Sequence, residues 1–132
     1  MNVQTIVPIF TTDRIREARE FWVGKLGFQV SFDHDHYLGL RAGAKGAPEI
    51  AFMRPDAEWP DAFDGRGASF SIEVDDADRE CERLRALGVP IVAEPKDQPW
   101  GSRGFVALDP NGIVLFVSHP IPAAVEFQAC IR

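Results

Sequence analysis

The chain carries one pattern twice. Val7-Pro8-Ile9-Phe10-Thr11-Thr12-Asp13 in the first half reappears as Phe70-Ser71-Ile72-Glu73-Val74-Asp75-Asp76 in the second. Each segment reads as a strand running into acidic residues that can cap a helix. Each helical stretch that follows closes on Leu-Gly and a new apolar run, Leu26-Gly27-Phe28 and then Leu87-Gly88-Val89. A period of about 20 to 50 residues would mean a stacked solenoid. A repeat spanning about half of a 132-residue chain means two copies of one module instead. Two curved modules, paired, enclose a cavity that neither builds alone, so function is expected on the residues that face it.

A length of 132 residues suits one domain, and 45% hydrophobic with 26% charged residues is ordinary for a globular chain. The formal net charge of −6 disfavours nucleic acid and anionic membranes, both of which need basic patches, and leans toward a neutral or cationic ligand. No apolar run approaches the length of a membrane span, and no basic stretch followed by an apolar one opens the chain, so a cytoplasmic protein is expected. Cys81 and Cys130 read as two free thiols, Cys81 on an apolar helix face.

Periodicity predicts a strand over 3–10 and a helix over 14–26, capped by Asp13, with Ile15, Ala18, Trp22 and Leu26 on one face. Strands follow over 28–32, 37–41 and 49–54, with a turn at Asp33-His34-Asp35-His36 and a turn-rich connection over 42–48. Module one covers about 1–54, a linker holding Pro55, Pro60, Gly65 and Gly67 about 55–67, and module two about 68–120. In module two the pattern predicts a strand over 69–74, a helix over 77–87 capped by Asp76 with Ala77, Cys81 and Leu84 buried, and a strand over 89–93. A loop over 94–104 then precedes strands over 104–108 and 113–118, joined by the turn Asp109-Pro110-Asn111-Gly112. After Pro120 and Pro122 the tail reads as irregular or a short helix.

This order is an α+β fold of two βαβββ modules forming a curved mixed sheet around a cavity. Over roughly residues 3–118 it resembles the vicinal oxygen chelate superfamily, the group of glyoxalases, bleomycin resistance proteins and extradiol dioxygenases. The local marks are Ala18-Arg19-Glu20-Phe21-Trp22 with Leu26-Gly27-Phe28, the strand end Val74-Asp75-Asp76, and Pro99-Trp100-Gly101-Ser102-Arg103 leading into Asp109-Pro110-Asn111-Gly112. The resemblance implies four metal-ligand positions, which fall here on Ile6, on or near Ala51, on Ser69 and on Phe116. Three of these offer no lone pair and the fourth only a neutral hydroxyl, so neither a metal nor another cofactor is expected. The resemblance also implies a homodimer, because members of the superfamily cover sheet edges by pairing modules.

Strand alternation gives the expected lining. Ile6, Pro8 and Phe10 face the cavity, as do Glu49, Ala51 and Met53, then Ser69, Ser71 and Glu73, then Val114, Phe116 and Ser118. Residues packing on the helix side are Val7 and Ile9, Ile50 and Phe52, Phe70, Ile72 and Val74, and Ile113, Leu115 and Val117. Trp59 and Trp100 sit on loops, where each either stacks on a ligand or covers an edge. Arg103, near Trp100, either pairs a ligand anion or is solvated. His34 and His36 are candidates for the cavity rim or a metal pair, or lie in a solvated turn. The candidate ligand-binding set is Pro8, Phe10, His34, His36, Met53, Trp59, Ser69, Ser71, Trp100, Arg103 and Phe116. Glu73 is the one catalytic candidate, either a buried general base or a hydrogen-bonded structural or ligand-orienting group.

Three functions compete on this reading. The first is metal-free sequestration of a bulky, partly aromatic or cationic small molecule, as in bleomycin resistance. The second is an enzyme with ligands relocated to His34, His36 and Glu49, or one using Glu73 as acid and base. The third is a scaffold whose cavity is filled by its own side chains.

Overall fold

The computed structural model describes residues 1–132, which divide into two compact units, 1–66 and 67–132. The expected two βαβββ modules are present, each as its own four-stranded mixed sheet.

Unit 1 runs β1 (Ile9–Thr11), α1 (Ile15–Trp22), β2 (Gln29–His34), β3 (Tyr37–Arg41) and β4 (Glu49–Met53), in sheet order β1-β4-β3-β2. β1 lies parallel to β4, and the other neighbours are antiparallel. Ile15, Ala18, Phe21 and Trp22 form the buried stripe of α1. They meet Leu38, Leu40, Ile50 and Phe52 from one face of the sheet, with the Trp22 and Phe52 rings 6.1 Å apart.

Three expectations change here. β1 is three residues long, not the run 3–10, and Pro8 explains where it begins. Pro8 has no N–H to donate, and contributes only its carbonyl, which accepts from the Ala51 N–H at 2.9 Å. Asp13 does not cap α1. The Thr12 hydroxyl accepts from the Arg14 N–H at 3.0 Å one residue earlier, and Thr12 is buried to do so. The helix also stops at Trp22, where the Lys25 and Leu26 N–H groups both bond the Phe21 carbonyl and so close the last turn.

Unit 2 runs β5 (Ser69–Glu73), α2 (Ala77–Ala86), β6 (Ile91–Gln98), β7 (Ser102–Leu108), β8 (Val114–Pro120) and α3 (Val125–Gln128), in sheet order β5-β8-β7-β6. The start of α2 is doubly fixed. Asp76 accepts from the Arg79 N–H at 3.1 Å, and the His119 Nδ1 atom accepts from the Ala77 N–H at 2.9 Å. Ala77, Cys81 and Leu84 of α2 are buried together with Phe105, Ala107, Leu115 and Val117 of the sheet. Burial pushes the Cys81 thiol pKa up, which leaves it an inert core group. The expected turn forms at Asp109, whose carboxylate accepts from the Asn111 and Ile113 N–H groups, both at 2.8 Å.

The expected loop over 94–104 is instead a hairpin. β6 extends to Gln98 and β7 starts at Ser102, so only Pro99, Trp100 and Gly101 turn. Pro95 is accommodated because β6 is an edge strand and its register shifts between Ala93 and Lys96. The tail folds onto this turn. The Ile121 N–H bonds the Gly101 carbonyl at 2.9 Å and the Ala124 N–H bonds the Pro99 carbonyl at 2.7 Å. Gly101 has φ +108°, and a Cβ there would sit 3.2 Å from both the Ala123 Cβ and the Ile121 carbonyl oxygen, so any other residue would be strained and tightly packed. No helix is long and apolar enough to cross a membrane.

Candidate functional site

In unit 2 the helix covers one face of the sheet, and the other face is open. The pairing register sorts the side chains. Ser71, Phe116 and Val106 align across β5, β8 and β7, and Glu73, Ser118, Gly104 and Lys96 align in the next row. Side chains directly opposite on neighbouring strands share a face. The open face curves into a groove of about 450 Å³ with Phe116 and Val106 on its floor and Trp100 at its end. Ser71, Ser102, Ser118 and Gln98 supply hydroxyl and amide groups, and Glu94 and Lys96 supply charge. The groove is not filled by the unit's own side chains, and Phe116 and Trp100 stay 47% and 56% exposed.

Gly104 lies in the floor opposite Lys96. A Cβ at this position would fall 2.5 Å from the Val117 carbonyl oxygen and 2.6 Å from the Ser118 Cβ. The strands β7 and β8 approach too closely there for any side chain, so the floor beside Lys96 is bare backbone.

Ser71, Trp100 and Phe116 are the three candidates from the sequence that line the groove. Ser69 shares their open face one row away and is exposed. Glu73 is also on that face but exposed, not buried as a general base would need, and it borders a separate acidic depression with Asp75, Asp76 and Glu80. Arg103 is placed differently from expectation. It sits on the helix face, where Nε and one terminal nitrogen both bond Asp78 at 2.9 Å and the other bonds Asp97 at 3.0 Å. The guanidinium holds the Asp78 carboxyl below its ordinary range, and the two carboxylates raise the Arg103 pKa further. Arg103 is therefore committed to fastening α2 to β6 and is not available to a ligand anion in the groove.

The unit 1 candidates do not gather into a comparable site. Phe10 is a correction. It pairs with Phe52 in register, its ring lies 6.1 Å from Phe52 and 5.2 Å from Phe63, and so it faces the helix side rather than the open face. Ile9, expected on the helix side, takes the opposite face and is 49% exposed. Pro8 is exposed ahead of β1. Met53 and His34 are on the open face, each paired with Tyr37, and Phe32 meets Tyr37 edge-on at 5.6 Å. His36 stacks on His34 at 5.9 Å in the exposed turn, where the His34 Nδ1 atom accepts from the His36 N–H. Trp59 stands exposed on a turn held by the Asp56 carboxylate, which accepts from the Glu58 and Trp59 N–H groups.

The superfamily's metal does not fit this donor set. Ala51 and Phe116 carry no donor, Ile6 is an exposed aliphatic ahead of β1, and Ser69 offers a neutral hydroxyl. No three His, Cys, Asp or Glu side chains converge to replace them.

The sequence reading missed Glu94, Lys96, Gln98, Ser102 and Val106. All five lie on the β6–β7 hairpin, of which residues 94–104 were expected to be a loop. The available signal was the spacing of Lys96 and Gln98, then of Ser102, Gly104 and Val106, two residues apart along two strands.

Two consecutive βαβββ modules, each with one helix over one face of a mixed four-stranded sheet, define the vicinal oxygen chelate fold. The chain belongs to the Glyoxalase/Bleomycin resistance protein/Dioxygenase superfamily, which it matches across residues 5–117. A curated relative, the uncharacterized protein YetH of Bacillus subtilis (strain 168), is 27% identical over 99 residues, 73% of this chain and 81% of the relative. Among solved structures, TnmS3, an antibiotic binding protein from Streptomyces sp. CB03234, is similar with a TM-score of 0.73 at 24% identity, over 90% of this chain and 97% of that one. A bleomycin resistance determinant encoded on transposon Tn5 is similar with a TM-score of 0.67 at 19% identity, over 89% of this chain and 98% of that one. At such identities these structures share the fold.

Proposed function

We propose that this protein binds and sequesters a bulky, partly aromatic small molecule in the unit 2 groove, without a metal. The observation that carries the reading is the pair Phe116 and Trp100, half-exposed on a concave face beside Val106 and ringed by hydroxyl and amide groups. Apolar lining with a few placed polar groups is the usual composition of a small-molecule site. The uncovered parts of the two rings amount to roughly 200 Å² of aromatic surface. Covering it would supply on the order of 5 kcal/mol before the entropic cost of association. Similarity to an antibiotic binding protein and to a bleomycin resistance determinant supports the same reading.

Binding is favoured over catalysis by what lines the groove. Its titratable side chains are Glu94 and Lys96, and Glu94 is bonded to Arg85. No nucleophile stands beside a base, and Glu73 lies outside the lining. The test is calorimetric titration with bleomycin and a panel of fused-ring aromatics, with and without a chelator. Saturable binding of at least one compound, unchanged by the chelator, is expected. Failure of the whole panel, or loss of binding with the chelator, would overturn the reading.

A further inference from the structure

We propose that the groove selects aromatic molecules bearing an anionic group, which Lys96 receives; this rests on the reading of the groove as a binding site. The net charge of −6 argues for a cationic ligand only as a sum over the whole chain. The local count in the groove is different. Of its two charged side chains, Glu94 is held by Arg85 of α2, a guanidinium it shares with Glu82 at 3.5 Å. Lys96 takes part in no ion pair, so it is the one charged side chain lining the groove without a partner of opposite sign. The strongest cation nearby in sequence, Arg103, is on the other face and bound to Asp78 and Asp97.

Position strengthens the assignment. The cross-strand neighbour of Lys96 is Gly104, which has no side chain and cannot gain one without moving β8. The lysine stem therefore lies beside an open floor, and its ammonium can reach a group seated over Phe116 and Val106. Gln98 and Ser102, paired across the same hairpin, add an amide N–H and a hydroxyl within the same end of the groove. An ammonium flanked by neutral donors is suited to a carboxylate, phenolate or sulfonate on an aromatic frame. The competing role for Lys96 is that of a charge guarding the edge strand β6 against pairing with another chain. That role predicts no dependence of ligand affinity on ligand charge.

The experiment is calorimetry with three ligands of one shape, a naphthalene carboxylate, the corresponding naphthalenemethanol and the naphthalenemethylammonium. They are titrated into the intact protein, Lys96→Gln, Lys96→Glu and, as a control, Lys45→Gln in the exposed turn of unit 1. Wild type and the Lys45 variant should rank carboxylate above alcohol above ammonium. Lys96→Gln should weaken the carboxylate about fivefold, the upper end for an exposed ion pair, and leave the alcohol within about twofold. Lys96→Glu should invert the ranking. The carboxylate preference should shrink as salt is raised. Equal affinity of wild type for all three ligands, or a ranking that Lys96→Gln does not change, would overturn the charge selection while leaving the groove as a binding site. Absence of binding by all three would overturn the selection, and the binding site itself falls only if bleomycin and the fused-ring panel fail as well.

Discussion

Trp100 separates a binding role from a structural one, because its surroundings set different scales for the two. It is 56% exposed, and its one ring contact is an edge-on approach to Phe127 at 6.4 Å. Just under half of a surface of about 250 Å² is thus covered on folding. At about 25 cal/mol per Å² that is at most about 2 to 3 kcal/mol, less what an alanine methyl retains. Trp100→Ala should therefore cost no more than about 2 kcal/mol in a urea titration. The fully buried Trp22 sets the contrast, since Trp22→Ala should cost at least about 3–5 kcal/mol. For binding, the uncovered indole face is what a flat ligand would stack on. Its loss should cost about 1–3 kcal/mol, or roughly fivefold to more than a hundredfold in Kd. Both quantities are measured on one protein, by urea denaturation and by ligand calorimetry. A stability loss above about 3 kcal/mol with unchanged affinity would show that Trp100 is a plug holding the tail on the β6–β7 turn, and would refute the stacking argument.

Three further outcomes follow from individual contacts. Gly104→Ala should lower folding free energy by about 2–3 kcal/mol, because the new Cβ meets the Val117 carbonyl oxygen at 2.5 Å and that atom belongs to a packed strand; an unchanged urea midpoint would contradict it. Asp78 has a carboxyl pKa below the usual 3.8 because of Arg103, so its contribution to stability is present above the unfolded pKa and is lost as pH falls through the folded one. The stability gap between wild type and Asp78→Asn should accordingly be open near neutral pH and close below about pH 4, and a gap independent of pH would refute the pairing. The protein should be a homodimer, since Ile9 and Phe32 stand about half-exposed on the open sheet face of unit 1 and β2 and β6 are edge strands; light scattering at the 14.7 kDa chain mass across micromolar concentrations would rule it out.

How far the sequence revealed this arrangement depended on whether a strand buries one face. β5 and β8 alternate strictly, Phe70 and Ile72 against Ser69, Ser71 and Glu73, and Leu115 and Val117 against Val114, Phe116 and Ser118. That alternation placed Ser71 and Phe116 on the open face without any structure. The short β1 has apolar residues in both phases, Ile9 and Phe10, so its own pattern could not choose a face. The choice is made by the parallel pairing of Phe10 with Phe52, a contact between residues far apart in the chain. β6 failed for a different reason. As an edge strand it is mostly exposed on both sides, so Glu94, Pro95, Lys96 and Asp97 show no apolar period and read as a loop.

Arg103 is the residue whose misplacement mattered most, and it was legible. Phe105 and Ala107 are apolar and buried, so every second residue back along β7 shares their face, and Arg103 is the next in that series. Asp78 near the start of α2 and Asp97 on β6 then become its partners on that face. The consequence reaches the groove. Had Arg103 occupied the opposite phase, its charge would have dominated the open face and Lys96 would be one cation of two. With Arg103 turned to α2, the residue in phase with the groove is Gly104, and the charge beside that bare floor belongs to Lys96 alone. The parity of one short strand therefore decides both how the helix is fastened and which cation lines the groove.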